Sequence, residues 1–337
     1  MLSLYASAYD FCNGGIYYNI TSPDAKTVAV TSGDESYSGS VVIPDVVLYG
    51  AVAYRVTSIG ESAFNGCSDL TSVIIPSTVT RIGNMAFCMC TGLTEINIPD
   101  GVADIEARAF AWCSNLSSVN LPAGLKRLGS SAFSNTNISS VTVPAGVAKI
   151  DGDQLFFGCN ALSSIVVAEG NNVYDSRYGC NAIIETETNE LVAGCANMVI
   201  PDDVTRIGEG ACGGLSNITS LVIPAGVNFI GSGAFSGCRN IGDIYCQGSV
   251  PPGYSFDVFY YPVLSTCTVH VPYGSLQAYK ASDWNDFMDI VEYDPTNVGV
   301  VETGMQSDTQ VIYGLGGVRM TQPRKGVYIV NGRKVMY

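Results

Sequence analysis

Between residues 52 and 252 the apolar positions follow neither the alternation of one strand nor the period of one helix. They recur as a whole sentence about every 23 residues. The sentence runs valine, two variable residues, Ile-Gly, then Ala-Phe, then Cys, then Leu, then a short apolar run closed by Pro. Pro76, Pro99, Pro122 and Pro144 step by 23, 23 and 22 residues, and Pro201 and Pro224 again by 23. Phe64, Phe87, Phe110, Phe133, Phe156 and Phe235 hold a second column, with Cys212 once in that slot. Ile59-Gly60, Ile82-Gly83, Leu128-Gly129, Ile207-Gly208 and Ile230-Gly231 hold a third. Ile105-Glu106 and Ile150-Asp151 keep its apolar residue and lose its glycine. A unit this short has no core of its own, so the pattern predicts stacked coils sharing one core, a mainly β solenoid.

Within one coil, residues 70–76 read as a short strand with Val73 and Ile75 inward and Ser72 and Ile74 outward. Pro76 cannot donate to a ladder and ends it. Residues 79–82 read as a second strand, after which Gly83 permits a turn. Residues 84–87 then form a tight 3₁₀-like turn that buries Phe87. Stacking sets like residues over like, ~4.8 Å apart.

The repeat breaks between Pro144 and Pro201. One coil spans 147 to about 168, and an insertion at about 169–198 reads as a hairpin turned near 187–189, grafted onto a lengthened coil. Residues 9–51 read as an N-terminal β cap with strands at 15–20, 27–31 and 40–44. Residues 253–294 read as a C-terminal cap: a last strand at 267–272, Ser275 as N-cap of a short helix at 276–280, and Trp284, Phe287 and Ile290 as a plug. After a linker at 294–297, residues 295–337 form a small β module with a hairpin turn at Asn331-Gly332. Residues 1–8, ending Ala6-Ser-Ala8, match the cleavage rule of a secretory signal and are expected to be its remnant.

The 337 residues are 47% apolar and only 14% charged, with 37 Gly and 14 Pro, a turn-rich β composition. No apolar run is long enough to predict a transmembrane helix. The net charge of −14 repels phosphate backbones, and no basic block or Walker loop offsets it, so nucleic acid is excluded as a partner. Of the 12 cysteines, Cys67, Cys90, Cys113, Cys159 and Cys238 share one column and are expected to be buried free thiols used as small apolar residues. Cys180 and Cys195 flank the hairpin and are the pair best placed for a disulfide. No cysteine or histidine spacing fits a metal, and no cofactor is expected.

The sentence quoted over residues 79–99, together with the segments 174–185 and 271–280, resembles the BspA-type leucine-rich repeat of bacterial surface proteins. The tail resembles a C-terminal secretion and sorting module of anaerobic bacteria. The resemblance implies a right-handed leucine-rich-repeat solenoid on a secreted or surface-displayed protein. It implies adhesion-like binding to host or bacterial surface proteins, including extracellular matrix, and no catalytic residues.

Outward residues of the strands make the natural binding face. In the first strand one row is Ser72, Glu95, Ser118, Ser140, Ser164, Ser220 and Asp243, and the next is Ile74, Asn97, Asn120, Thr142, Val166, Val222 and Tyr245. In the second strand they are Ser58, Arg81, Asp104, Arg127, Lys149, Arg206 and Phe229. The candidate partner-binding residues are therefore Arg81, Arg127, Lys149, Arg206, Glu95, Asn97, Asn120, Asp243 and Tyr245. The basic stripe has two readings: a site for an acidic partner, or ordinary pairing with Glu61, Glu106, Asp151 and Glu209. Catalysis has no support, because no carboxylate pair has catalytic spacing and His270 is the single histidine. Two alternatives to protein binding stay open. One is a glycan-binding module using Tyr245 and the tyrosines at 254, 260 and 261. The other is a spacer that displays the hairpin.

Overall fold

A coil with no core of its own must pair its backbone with the next coil, and the hydrogen bonds follow from that demand. The computed structural model describes residues 9–255 and 257–293, and as backbone the strands Ile312–Gly314, Arg319–Met320, Val327–Val330 and Arg333–Met336. The fold is a β-solenoid of about 10 coils with 6% helix. It packs as two compact units, Met1–Ala161 with Val167–Val173, and Leu162–Val166 with Tyr174–Tyr337.

In the first unit, Val52–Ile59, Arg81–Ile82, Asp104–Ile105, Arg127–Leu128 and Lys149–Ile150 form one parallel ladder. Its register sets Ser58, Arg81, Asp104, Arg127 and Lys149 side by side. A second set of strands carries the other face: Gly39–Val42 beside Leu70–Ile74, and Glu95–Asn97 beside Ser118–Asn120. The turn between them is itself a ladder. The N–H groups of Met85, Phe87 and Met89 donate to Ala107, Ala109 and Ala111 of the next coil at 3.0, 2.8 and 2.8 Å. Those of Ala86, Cys88 and Cys90 close local turns to Gly83, Met85 and Phe87. Every second amide thus serves the stack, and Phe87 is carried into the core with no exposure.

The phenylalanines stack in register. Phe64–Phe87, Phe87–Phe110 and Phe110–Phe133 have centroids 4.9, 5.3 and 5.4 Å apart and rings within 5° of parallel. Tyr37 of the cap extends the column, 4.6 Å from Phe64, with its hydroxyl donating to Thr31 O at 2.6 Å. Gly83 has a different task from the one its sequence context suggests. Its φ is not positive. Instead, a Cβ there would lie 2.9 Å from the backbone of Gly60 and Glu61, so the glycine allows close approach of the preceding coil.

The cap contains strands that residue pattern alone missed. Phe11–Asn13 pairs Ile16–Ser22, and Val46–Tyr49 forms a hairpin with Val52–Ile59 through Gly50, whose φ is 61°. Both strands are short and irregular in pattern, which hid them from an alternation test.

In the second unit the insertion forms the hairpin Ala182–Glu185 and Glu190–Gly194. It is less a graft than a substitute coil: Glu190–Gly194 pairs in parallel with Arg206–Ile207, setting Leu191 beside Ile207 in the Ile column. Arg177 ties it down, reaching Asp175, Asn189 and Asp203 at 2.9, 2.9 and 2.7 Å. Where Cys212 replaces the core phenylalanine, Met198 of the insertion brings its thioether to 3.3 Å from the thiol.

Ser220–Ile223, Asp243–Cys246, Thr268–Pro272 and Asp289–Tyr293 form a parallel sheet. Phe259, Trp284 and Phe287 close the core below Phe235. The helix Leu276–Lys280 starts after Ser275, but that side chain makes no capping bond. Glu292 does the work, accepting from the N–H groups of Gly274 and Leu276 at 2.9 and 3.1 Å. The helix Tyr261–Thr266, opened by Tyr261-Pro262, has no counterpart in the sequence reading.

All 12 cysteines are free, and all but Cys12 are buried. Cys180 and Cys195 are separate thiols, bonded to Ala182 O and Asn181 O. The column cysteines are also more than small apolar residues. Cys90, Cys113 and Cys159 donate to the carbonyls of Phe64, Phe87 and Phe133, each at 3.0 Å. Thr136 takes the same slot once and donates to Phe133 O at 2.9 Å. The four C-terminal strands form an antiparallel sheet. Residues 1–8, the linker at 294–297 and the Asn331-Gly332 turn lie outside the described residues.

Candidate functional site

The two outward rows meet different fates. In the second-strand row each cation is neutralised by its neighbours. Arg81 Nη2 lies 2.7 Å from Glu106 Oε1, and the same carboxylate accepts from the Asn84 N–H at 2.8 Å. Arg127 bridges Asp104 at 3.3 Å and Asp151 through its Nε. Lys149 Nζ lies 2.6 Å from Asp151 Oδ1. Burial pushes the Asp151 carboxyl up, but Lys149 and Arg127 outweigh it and hold the pKa below the usual carboxylate range.

In the second unit Arg206 bonds Glu190 at 3.0 Å and lies over the Phe229 ring, 4.6 Å from its centroid. Burial raises the Glu190 pKa despite that partner, so this pair is the weaker one. Glu106 and Asp151 occupy the two slots where the repeat loses its glycine. Sequence spacing could find these partners. Asp104, inside the row, and Glu190, from the insertion, were not anticipated. Glu61 instead bonds Asn84, at 3.4 Å.

The first-strand row is open. Glu95 faces Ser118 and Asn97 faces Asn120 in register. Glu95, Asn97 and Asn120 are exposed, and among the described residues their side chains make no hydrogen bond or ion pair. With Ser72, Ile74 and Ser118 they line a groove of about 480 Å³. Ile74 is 56% exposed and sits beside Val42, 60% exposed, giving the row an apolar end. That apolar pair carries no charge or motif, so the sequence offered no reason to single it out.

Asp243 and Tyr245 occupy the same rows in the second unit but are engaged. Asp243 Oδ1 lies 2.7 Å from His270 Nε2. The His270 ring stacks on Tyr245 at 4.2 Å, and Tyr293 meets Tyr245 edge-on. Of the other tyrosines, Tyr254 packs on Trp284 and Phe259 and donates to Asp283 O. Tyr260 lies under Arg239, and Tyr261 is 80% exposed. Among the described residues no group of three His, Cys, Asp or Glu is placed to hold a metal ion. No helix among them is long and apolar enough to cross a membrane.

The sequence matches the BspA type leucine rich repeat region in six copies, over residues 51–173 and 184–266. The chain belongs to the BspA-type leucine-rich repeat family.

Solved structures share this fold. A leucine-rich repeat protein from Bacteroides ovatus is 28% identical with a TM-score of 0.58, covering 85% of this chain and 77% of its own. One from Eubacterium ventriosum is 22% identical with a TM-score of 0.52, covering 77% and 71%. The pneumococcal vaccine antigen PcpA is 15% identical with a TM-score of 0.51, covering 84% and 98%. No curated protein matches the chain. BspA-type and other leucine-rich repeat folds are typically binding scaffolds for proteins instead of enzymes. Of the candidate residues read from this BspA-type sequence, Glu95, Asn97 and Asn120 are the ones whose side chains make no hydrogen bond or ion pair among the described residues.

Proposed function

We propose that this is a secreted or surface-displayed, non-catalytic scaffold that binds host or bacterial surface proteins, extracellular matrix included. The binding face is the first-strand row of Ile74, Glu95, Asn97 and Asn120. One contrast supports this. The stripe Arg81, Arg127, Lys149 and Arg206 is already ion-paired, while Glu95, Asn97 and Asn120 have donors and acceptors to offer. A partner at the stripe would have to displace existing pairs; one at the row displaces water alone. Ile74 and Val42 add apolar area that a row of small polar residues lacks. Residues 295–337 fit the same reading as a secretion and sorting module.

The glycan reading rests on open aromatic faces, and Tyr245, Tyr254 and Tyr260 are all engaged by neighbours. The test is surface plasmon resonance of the full chain over immobilised matrix proteins, with a host-glycan panel in parallel. Saturable binding to a matrix protein is expected. Glycan-only binding would move the site to Tyr261, and silence on both panels would favour a spacer that displays the hairpin.

A further inference from the structure

Each turn after the second strand carries two left-handed backbone positions, four residues apart. The first holds mixed side chains: Ser62, Met85, Ser131 and Gln154, all at φ 53–62°, are partly or fully buried. The second opens to solvent at Gly66, where a Cβ would meet nothing within 4 Å, whereas at Gly158 a Cβ would lie 2.5 Å from the Asn135 side chain. Glycine fills this second slot at 66, 158, 214 and 237, with φ between 68° and 77°. Asn135, a residue tolerant of this conformation, fills it once. Met89 (φ 60°) and Trp112 (φ 63°) fill it in two consecutive coils.

A bulky side chain in a left-handed conformation is strained relative to glycine. Both residues are 51% exposed, so about half of each faces solvent. Their amides donate to Ala111 and Ser134 of the following coils at 2.8 Å each, which fixes the two residues in adjacent layers. Among the described residues the Trp112 indole N–H has no partner.

Arg108 completes the group. It is exposed and sits in the left-handed slot four residues before Trp112, and its side chain makes no ion pair or hydrogen bond among the described residues. Its backbone lies between Ala107 and Ala109, the acceptors of the Met85 and Phe87 N–H groups, so it belongs to the same stacked turns as Met89 and Trp112. Tryptophan, arginine and methionine are the side chains that concentrate binding energy at protein interfaces.

We propose that Met89, Trp112 and Arg108 form a second docking patch, for a protein segment that presents an apolar side chain beside a carboxylate. The inference rests on the reading of the chain as a protein-binding scaffold, and it adds a surface separate from the first-strand row. Charge complementarity names the partner: unlike the stripe cations, Arg108 is free to accept a carboxylate without losing a bond. A sugar ring would need hydrogen-bonding groups around the indole, and Met89 supplies none.

The test uses the full chain against a displayed library of random 12-residue peptides, with selected peptides then synthesised. Trp112 reports directly, because the other tryptophan, Trp284, is fully buried. The expected peptides carry an apolar residue next to Asp or Glu and shift Trp112 emission to the blue. The double variant Met89→Gly, Trp112→Gly should lose affinity by about tenfold or more. Its Tm should stay unchanged or rise by roughly 1–3 °C as backbone strain is relieved. Arg108→Ser should lose affinity severalfold and most of the salt dependence. A substitution of the first-strand row, Asn97→Ala with Asn120→Ala, should leave these peptides bound.

A fall of several degrees in the double-glycine variant would make both residues structural and overturn the proposal. So would peptides that bind it normally, or that are lost only in the row variant. Failure to select any peptide, or a blue shift produced by glycans alone, would overturn it equally. Peptide binding at the patch together with matrix-protein binding that the row substitution leaves unchanged would instead count against the reading of that row.

Discussion

A buried thiol that donates to a carbonyl has two measurable consequences. The first is reactivity. Cys12 is exposed and the other 11 are buried, so a thiol reagent at pH 8 should label one cysteine quickly in the native chain and all 12 in denaturant. The second is pH dependence. Burial raises the Cys195 thiol to about 11 and those of Cys180, Cys238 and Cys267 to about 12. In the unfolded chain thiols ionise near ~8.5. Above that value the unfolded state binds fewer protons than the folded one, so stability falls as pH rises. Melting temperature should hold steady between pH 6 and 8 and decline through pH 9 to 11. A curve flat to pH 11 would mean that these thiols do not stay protonated in the fold. The cysteine column itself was legible, because it repeats. The hydrogen bond each thiol makes was not, because it depends on where the preceding coil's Phe carbonyl points.

At the level of elements, period governed what could be read. Columns fixed the two strand ladders and their inward and outward faces, since these follow from spacing alone, and the hairpin turn near 187–189 was read from the strand and turn residues inside the break. Residues that depend on a neighbour from another coil were misjudged. Gly83 looked like a turn residue and is instead a contact surface for Gly60 and Glu61. Ser275 looked like a cap, and Glu292 from the following strand does that work. The close approach predicts that Gly83→Ala costs about 1–3 kcal/mol, since rigid backbone lies where the methyl group must go. Chemical denaturation of the variant measures this; a change below about 0.5 kcal/mol would show that the coils separate easily.

For the whole molecule, architecture was far more legible than site. A 23-residue sentence repeated along the chain specifies a stacked core whatever its surface does. The surface rows were also placed by that register. Which row is free was legible in part: spacing pointed to Glu106 and Asp151 as partners of the stripe, but not to Asp104 and Glu190, brought to Arg127 and Arg206 by the stacking itself. Exposed pairs of this kind contribute about 0–1 kcal/mol each, so removing the cations should leave the fold intact. That makes a comparison of the two rows the most direct test of the account. Binding of the full chain to the matrix protein selected on the panel would be measured at moderate salt for two variants. One carries Ile74→Asp, Asn97→Ala and Asn120→Ala; the other carries Arg81, Arg127, Lys149 and Arg206 all changed to Ser. The account predicts a loss of about tenfold or more in the first and an unchanged affinity in the second. The reverse result would contradict it and make the ion-paired stripe the binding face.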